Sequence, residues 1–244
     1  MNKLNVKIGN IELKNPLICG SGEQFIELIG IEKALKQGAG AVVIKSTNES
    51  TAAKVQLHKT DYTVIDSNFK QLPWDQTPPR DASLFNRSGL HPKPFNEWLE
   101  LAIRADLMAK KYNSYAIASL IPADLDKLIE HAKIIEASGI RVLEVNVGAP
   151  HGDEAVKGAI MLEREASHIK EITQKIRDAV NVPLWIKLTG QSSEIPAMVK
   201  AAKDAGADAV TLMGRFMGFI PDIETGEPIL GTHAAYGGPW ALPL

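Results

Sequence analysis

The stretch KQGAGAVVIK (residues 36–45) decides the fold. A helix-like segment runs into glycine, and the glycine leads into a short apolar run ending on a lysine. The same design returns in EASGIRVLEVN (136–146) and KDAGADAVTLM (203–213). Short, nearly continuous apolar runs suit parallel strands buried on both faces. A helix end, a glycine and a strand, repeated three times, read as βα units.

Working outward, six runs are candidate strands: residues 16–19, 41–45, 115–119, 141–146, 183–188 and 208–213. Helical patterns lie between them. In IPADLDKLIEHAKIIEASG (121–139), Leu125, Leu128, Ile129, Ala132 and Ile135 fall on one face, and Gly139 is placed to end the helix in the left-handed conformation that glycine adopts without strain. In HIKEITQKIRDAVNVP (168–183), Ile169, Ile172, Ile176 and Val180 do the same, Glu171 and Lys175 can pair one turn apart, and Asn181 and Pro183 stop the helix. At the N-terminus, LNVKIGNIELKNP alternates apolar and polar residues around Gly9-Asn10, as a β-hairpin does.

Repeated right-handed βα units close into a barrel or open into a doubly wound sheet. No GxGxxG follows the first strand, which weakens a dinucleotide fold. The expected fold is therefore a (β/α)8 TIM-type barrel whose bottom is plugged by the N-terminal hairpin. Such a barrel closes with eight strands. The six counted here imply one domain over residues 1–244 that lacks its last two βα units, because an open sheet edge over an uncovered core is costly. The long segment 47–95 holds few apolar runs and is expected to be a lid or substrate loop above the barrel. Its Trp74, Pro78 and Pro79 are read as lid packing.

Composition removes several function classes. Of 244 residues, 45% are hydrophobic and 23% charged, the balance of a globular core, and the formal net charge is −2. No basic run supports nucleic-acid binding. The single cysteine, Cys19, rules out an internal disulfide or an iron–sulfur cluster held by this chain alone, and suits a cytoplasmic setting. No membrane-length apolar run or signal-peptide core is present. His91, His131 and His168 have no ligand spacing, so no metal is expected.

A barrel builds its site where strands end. Strand one ends in CGSG (19–22), whose small residues admit a flat ligand. Lys45 ends strand two, with Ser46 and Thr47 behind it. Asn146 ends strand four, Lys187 and Thr189 strand five, and Gly214 and Arg215 strand six. A buried ammonium needs an anionic or acceptor-rich partner. Glu144, on the same side of its strand as Asn146, is a candidate. Arg215 could meet an acidic substrate group or pair with Asp222 or Glu224. Cys19 is read as a small packing residue under the ligand ring. Two lysines and an amide around a small-residue turn suggest a planar, electron-accepting ligand such as a flavin.

In order along the chain, LKNPLICGSG, AVVIKST, LFNRSGL, LEVNVGAP, WIKL, GADAVTLM and AAYGGPWALPL resemble the dihydroorotate dehydrogenase family and the wider dihydropyrimidine dehydrogenase-like flavin barrels. The resemblance implies an FMN-dependent oxidoreductase that moves hydride between a dihydropyrimidine-like small molecule and the flavin. It places Gly20 and Ser21 along the flavin, with Ser46 beside it. Lys45 would contact both flavin and substrate, and Lys187 would sit on the N1–C2=O edge. Gly237 and Gly238 would approach the ribityl phosphate. It assigns the substrate to Asn86, Gly89 and Leu90, with Asn146 bridging substrate and flavin. The expected partners are a second copy of the chain and a separate electron-transfer subunit.

One departure stands out. The family's proton-accepting Cys or Ser follows the fourth strand in a pattern like N-x-x-C-P-N, and here those positions read Asn146, Val147, Gly148, Ala149, Pro150 and His151. A methyl group accepts no proton. Three readings remain open. In the first, His151 acts as the base, with an ordinary pKa of about 6.5. In the second the substrate differs, and in the third the chain is an inactive paralogue kept for binding or assembly. A tRNA-dihydrouridine-synthase-like flavoprotein is a further alternative, which the charge balance disfavours.

Overall fold

The computed structural model describes residues 4–149 and 163–241. Two short strands open it, β1 (Val6–Ile8) and β2 (Ile11–Leu13), paired antiparallel about Gly9, whose φ is +56°. This is the expected hairpin.

The next two strands are β3 (Ile18–Cys19) and β4 (Ala41–Val43), with helix α1 (Leu28–Lys36) between them. The chain then makes the short helix α2 (Thr51–Val55) and strands β5 (Asp61–Ile65), β6 (Gln71–Leu72) and β7 (Ser83–Arg87). Helix α3 (Phe95–Lys111), β8 (Tyr115–Leu120), α4 (Leu125–Ala137) and β9 (Leu143–Asn146) follow. Beyond them come α5 (Ala166–Ala179), β10 (Leu184–Lys187), α6 (Ile195–Asp204) and β11 (Ala209–Thr211). A last pair, β12 (Phe216–Gly218) and β13 (Ala234–Gly237), completes the strands.

All six expected strands join one parallel sheet, in the order β11-β10-β9-β8-β4-β3. It forms a curled half-barrel with helices outside, as an incomplete TIM barrel would. The repeat glycines behave alike: Gly38, Gly139 and Gly206 end their helices at φ +98°, +81° and +93°. Side chains other than glycine rarely take this conformation, so the repeated letter marks a repeated geometric need.

Alternation along the strands sorts the side chains. Leu143, Val145, Leu184 and Ile186 face the helices in the larger core. Val43, Ile117, Val142 and Trp185 face the concave side, where Ile11 and Leu13 of the hairpin cover them. The hairpin thus plugs the barrel as expected. Cys19 packs against the helix-facing core as a small packing residue, and burial pushes its thiol above the ordinary value.

Segment 47–95 is not an irregular lid. β5, β6 and β7 form a five-stranded antiparallel sheet with β12 and β13, in the order β12-β13-β7-β5-β6. Its core is Ile65, Phe85, Ile220, Leu230 and Ala234. The strands are short and half exposed, so their apolar signal is weak, and their partners lie about 150 residues downstream. Trp74 is 67% exposed, so it is not lid packing.

The helices are tied to the sheet by charge as well as packing. Asp106, buried on α3, receives two hydrogen bonds from Arg141 Nε, at 3.0 and 3.1 Å, and one from Arg141 Nη2, at 2.8 Å. The Arg141 guanidinium also lies 4.1 Å from the Tyr115 ring centroid. Removing one member of a buried ion pair strands the other, which costs about 3 kcal/mol or more. We expect Asp106→Ala to lower the unfolding free energy by about that much in urea denaturation. Lys110→Ala, at the exposed end of the same cluster, should change it by less than about 0.5 kcal/mol. Equal, small effects would show that the Asp106–Arg141 pair does not hold the layers.

Candidate functional site

The strand ends meet as the barrel reading requires. A cavity of about 70 Å3 is lined by Ser21, Lys45, Ser46, Asn146, Lys187 and Arg215, closed on one side by Gly89, Leu90, Ile121 and Ala149. At Gly214 and Arg215 it meets a second cavity of about 520 Å3, bounded by Asn86, Met213, Phe216, Tyr236 and Gly237.

Parallel pairing aligns the polar ends. Lys187 is in register with Asn146 on one side and Thr211 on the other. The Asn146 side-chain oxygen accepts from the Gly148 amide at 3.1 Å, which fixes the loop after β9. Lys45 follows β4, and its backbone carbonyl accepts a 2.9 Å hydrogen bond from the indole nitrogen of Trp98 on α3. The outer helix layer thereby holds the residue that enters the pocket. Gly89 belongs to the loop after β7, where a Cβ would lie 2.2 Å from the Leu57 nitrogen, so only glycine permits the close approach.

Lys45 is almost fully buried, and its partner is Glu23, not Glu144. The ammonium donates to Glu23 Oε1 at 2.8 Å and to Ser88 Oγ at 3.2 Å, and Ser88 donates to the same carboxylate. Glu144 accepts instead from Thr211 Oγ1 at 3.0 Å and Ser119 Oγ at 3.4 Å. A chain of hydroxyls continues the line under the pocket: Ser119 to Ser46 at 2.8 Å, and Ser46 to Ser21 at 3.0 Å. Arg215 has Glu23 and Tyr62 among its electrostatic partners, and Asp222 accepts from the backbone amides of Glu224 and Thr225.

Burial pushes the Lys45 ammonium below the ordinary lysine value. Glu23 pulls it up, while Arg215 and Lys187 push it further down. For Glu23, burial pushes the carboxyl up, but the charge and hydrogen bond of Lys45 outweigh it and hold the group below the ordinary value. Burial and the neighbouring Glu23 raise the Tyr62 phenol. Glu23, Tyr62 and Ser88 escaped the sequence reading because they come from three segments with no shared spacing.

Seven expected residues therefore line the smaller cavity: Ser21, Lys45, Ser46, Gly89, Leu90, Asn146 and Lys187. Asn86 and Gly237 border the larger one. Gly238 instead packs on Ser83 and Trp240, where a Cβ would meet the Ser83 hydroxyl at 2.4 Å. Gly20 has open space at its Cα, with nothing within 4 Å of a built Cβ. His151 lies outside the described residues. No group of His, Cys, Asp and Glu suited to a metal occurs among the described residues.

The larger cavity falls within the range of about 300–1,000 Å3 usual for cofactor sites. Lys187 and Asn146 supply a cation and an amide to the smaller cavity, beside Ser21 of the first loop.

The depressed Glu23 carboxyl has a consequence for stability. Its folded value lies below the ordinary 4.5, so its contribution is present above about pH 4.5 and is lost as pH falls through the lower folded value. Lys45 works oppositely: its folded value is lowered, so the cost of holding the ammonium is relieved as pH rises through that value. Glu23→Gln should flatten the acid limb of the stability curve, read as urea midpoints between about pH 3 and 5. An unchanged limb would mean that the Glu23–Lys45 pair contributes nothing there.

Comparison with known proteins agrees with the geometry. The family model for dihydrouridine synthases matches residues 100–228. The chain is 25% identical over 249 residues to the dihydroorotate dehydrogenase B (NAD(+)) catalytic subunit of Fusobacterium nucleatum subsp. nucleatum, covering 99% of the chain and 73% of that protein. It is 28% identical over 236 residues to the dihydroorotate dehydrogenase A (fumarate) of Lactobacillus helveticus, covering 95% and 69%. The catalytic subunit from Methanocella arvoryzae is 28% identical over 245 residues, covering 99% and 72%. The dihydrouridine synthase match spans more than half of the chain, so the chain belongs to that family, and nearly all of it also aligns to dihydroorotate dehydrogenases.

Proposed function

We propose that the protein is an FMN-dependent oxidoreductase that transfers hydride between the flavin and a dihydropyrimidine-like ring. The observation that carries this reading is the convergence of Lys45, Asn146 and Lys187, from three parallel strands, on one cavity that opens into a cofactor-sized space. Bound there, the flavin would supply the two-electron acceptor. Lys187 would bind the N1–C2=O edge, where reduction places negative charge. Gly20, Ser21 and Ser46 would flank the flavin, and Gly237 would approach its phosphate, whereas Gly238 is taken up by its packing on Ser83 and Trp240. Asn86, Gly89 and Leu90 would hold the substrate ring, Asn146 would bridge ring and flavin, and Lys45 would donate to the ring.

Ala149 is buried with Ala53, Leu90 and Ile121, an apolar wall that accepts no proton. His151, two residues further on, is the proposed base. The relatives named as catalytic subunits support a separate electron-transfer partner, since Cys19 is the only cysteine. A second copy of the chain is proposed as the other partner.

Two rival readings have an observation each. The apolar wall at Ala149 favours a non-catalytic paralogue. The dihydrouridine synthase match favours an RNA substrate. Against that second rival, the net charge of −2 provides little of the cationic surface that phosphate binding uses.

We expect the protein to take up FMN and the bound flavin to bleach anaerobically with a dihydropyrimidine. Lys187→Met should slow bleaching by about 10²-fold or more, and His151→Ala by about 10²–10⁴-fold. A protein that takes up no FMN would refute the reading. Parental rates in His151→Ala would remove the histidine as base, and bleaching only with dihydrouridine-containing RNA would establish the RNA rival.

A further inference from the structure

One short turn holds Lys45 at both ends. The Lys45 backbone amide donates to the Phe25 carbonyl at 3.2 Å, and its ammonium donates to Glu23 Oε1 at 2.8 Å. Both acceptors belong to a single 3-10 turn, Glu23–Phe25, just after the small residues of the first loop. That turn is itself fixed. Phe25 is buried in the helix-facing core, and the ring of His91 hydrogen-bonds the Ile26 carbonyl at 3.0 Å. Gly30 of α1 packs so closely on the Gln24 carbonyl that no Cβ would fit there. From the antiparallel sheet, Ser88, just after β7, and Tyr62 of β5 hydrogen-bond the Glu23 carboxylate.

Building on the oxidoreductase reading, we infer that Glu23 is a positioning residue for the reaction: it acts through Lys45, fixing the place and the charge of the ammonium that donates to the ring. Glu23 is not among the residues that line either cavity. A lysine is a point charge on a flexible stem, so its partners set its direction. Glu23 and Ser88 take two of the three N–H donors and leave one for a ligand in the cavity that Lys45 lines. A misplacement of about 1 Å in such a group can cost about 10²-fold in rate. Charge needs the same partner. The ionisable groups that act on the ammonium are Glu23, with Tyr62 behind it, Lys187 at the end of β10, Arg215 before β12 and His91 before α3. Burial and the two cations push Lys45 below the ordinary lysine value, and the Glu23 carboxylate pulls it back. Without that carboxylate, the ammonium gives up its proton at lower pH.

The test has two parts. In FMN-free protein labelled with 15N-lysine, the Lys45 side-chain nitrogen is followed by NMR as pH rises, its signal assigned from its loss in Lys45→Met. Glu23→Gln should lower the titration midpoint by about one pH unit or more, and Glu23→Asp, which keeps the charge, should hold it within about half a unit. In FMN-loaded protein, Glu23→Gln should slow anaerobic bleaching by a dihydropyrimidine about 10–10²-fold and move its alkaline limb down with the NMR midpoint. Glu23→Asp, whose carboxylate is one methylene shorter, should slow bleaching about tenfold with the limb in place. Added to Lys45→Met, Glu23→Gln should change the rate by less than about twofold, because nothing is left to position. An unmoved midpoint in Glu23→Gln, parental bleaching in either Glu23 variant, or an undiminished loss on the Lys45→Met background would each overturn the inference and leave the oxidoreductase reading standing. A parent protein that takes up no FMN would refute that reading, and the inference with it.

Discussion

A buried ammonium is the constraint on which the site depends. Lys45 leaves the end of a parallel strand into a space with little water, and such a charge is tolerated only beside an acceptor. Glu23 answers it from the first loop, and Ser88 from the loop of the antiparallel sheet. One cation therefore dictates the placement of two distant segments, and the cavity takes its shape between them. On the floor of the pocket, hydroxyls of Ser21, Ser46 and Ser119 lead to Glu144 and link neighbouring strand ends.

The barrel supports this arrangement by separating two kinds of packing. Helix-facing side chains are apolar along the whole strand. Concave-facing ones change character with height: Val43, Val142 and Trp185 lie low, against the hairpin, while Lys45, Asn146 and Lys187 lie at the top. The hairpin removes water from the lower half and leaves polar chemistry to the strand ends. Trp98 adds a link through the wall, from the helix layer to the backbone of Lys45.

Much of this was legible in the sequence, for physical reasons. Buried parallel strands leave continuous apolar runs, and the glycines at 38, 139 and 206 announce three helix ends. Lys45, Asn146 and Lys187 were legible because strand ends in a barrel face one mouth. The antiparallel sheet was not, because β5 to β7 are short and half exposed and pair with strands far along the chain. Nor was the partner of Lys45. Glu144 is the local candidate, two residues from Asn146 on the same side of the strand, but the charge is met across the fold by Glu23. Of the two partners the sequence allows Arg215, an acidic substrate group or Asp222 and Glu224, neither includes Glu23, which lies across the fold. Pairings between separate loops leave no periodicity to read.

The bond between Ser88 and Glu23 spans 65 residues and joins the two sheets. Contacts of such separation form only after the chain between them has closed. The half-barrel can therefore be largely assembled while the pocket is still open. A ligand held between these loops would act as a clamp between the two sheets, and its loss would loosen their junction before it disturbed either core.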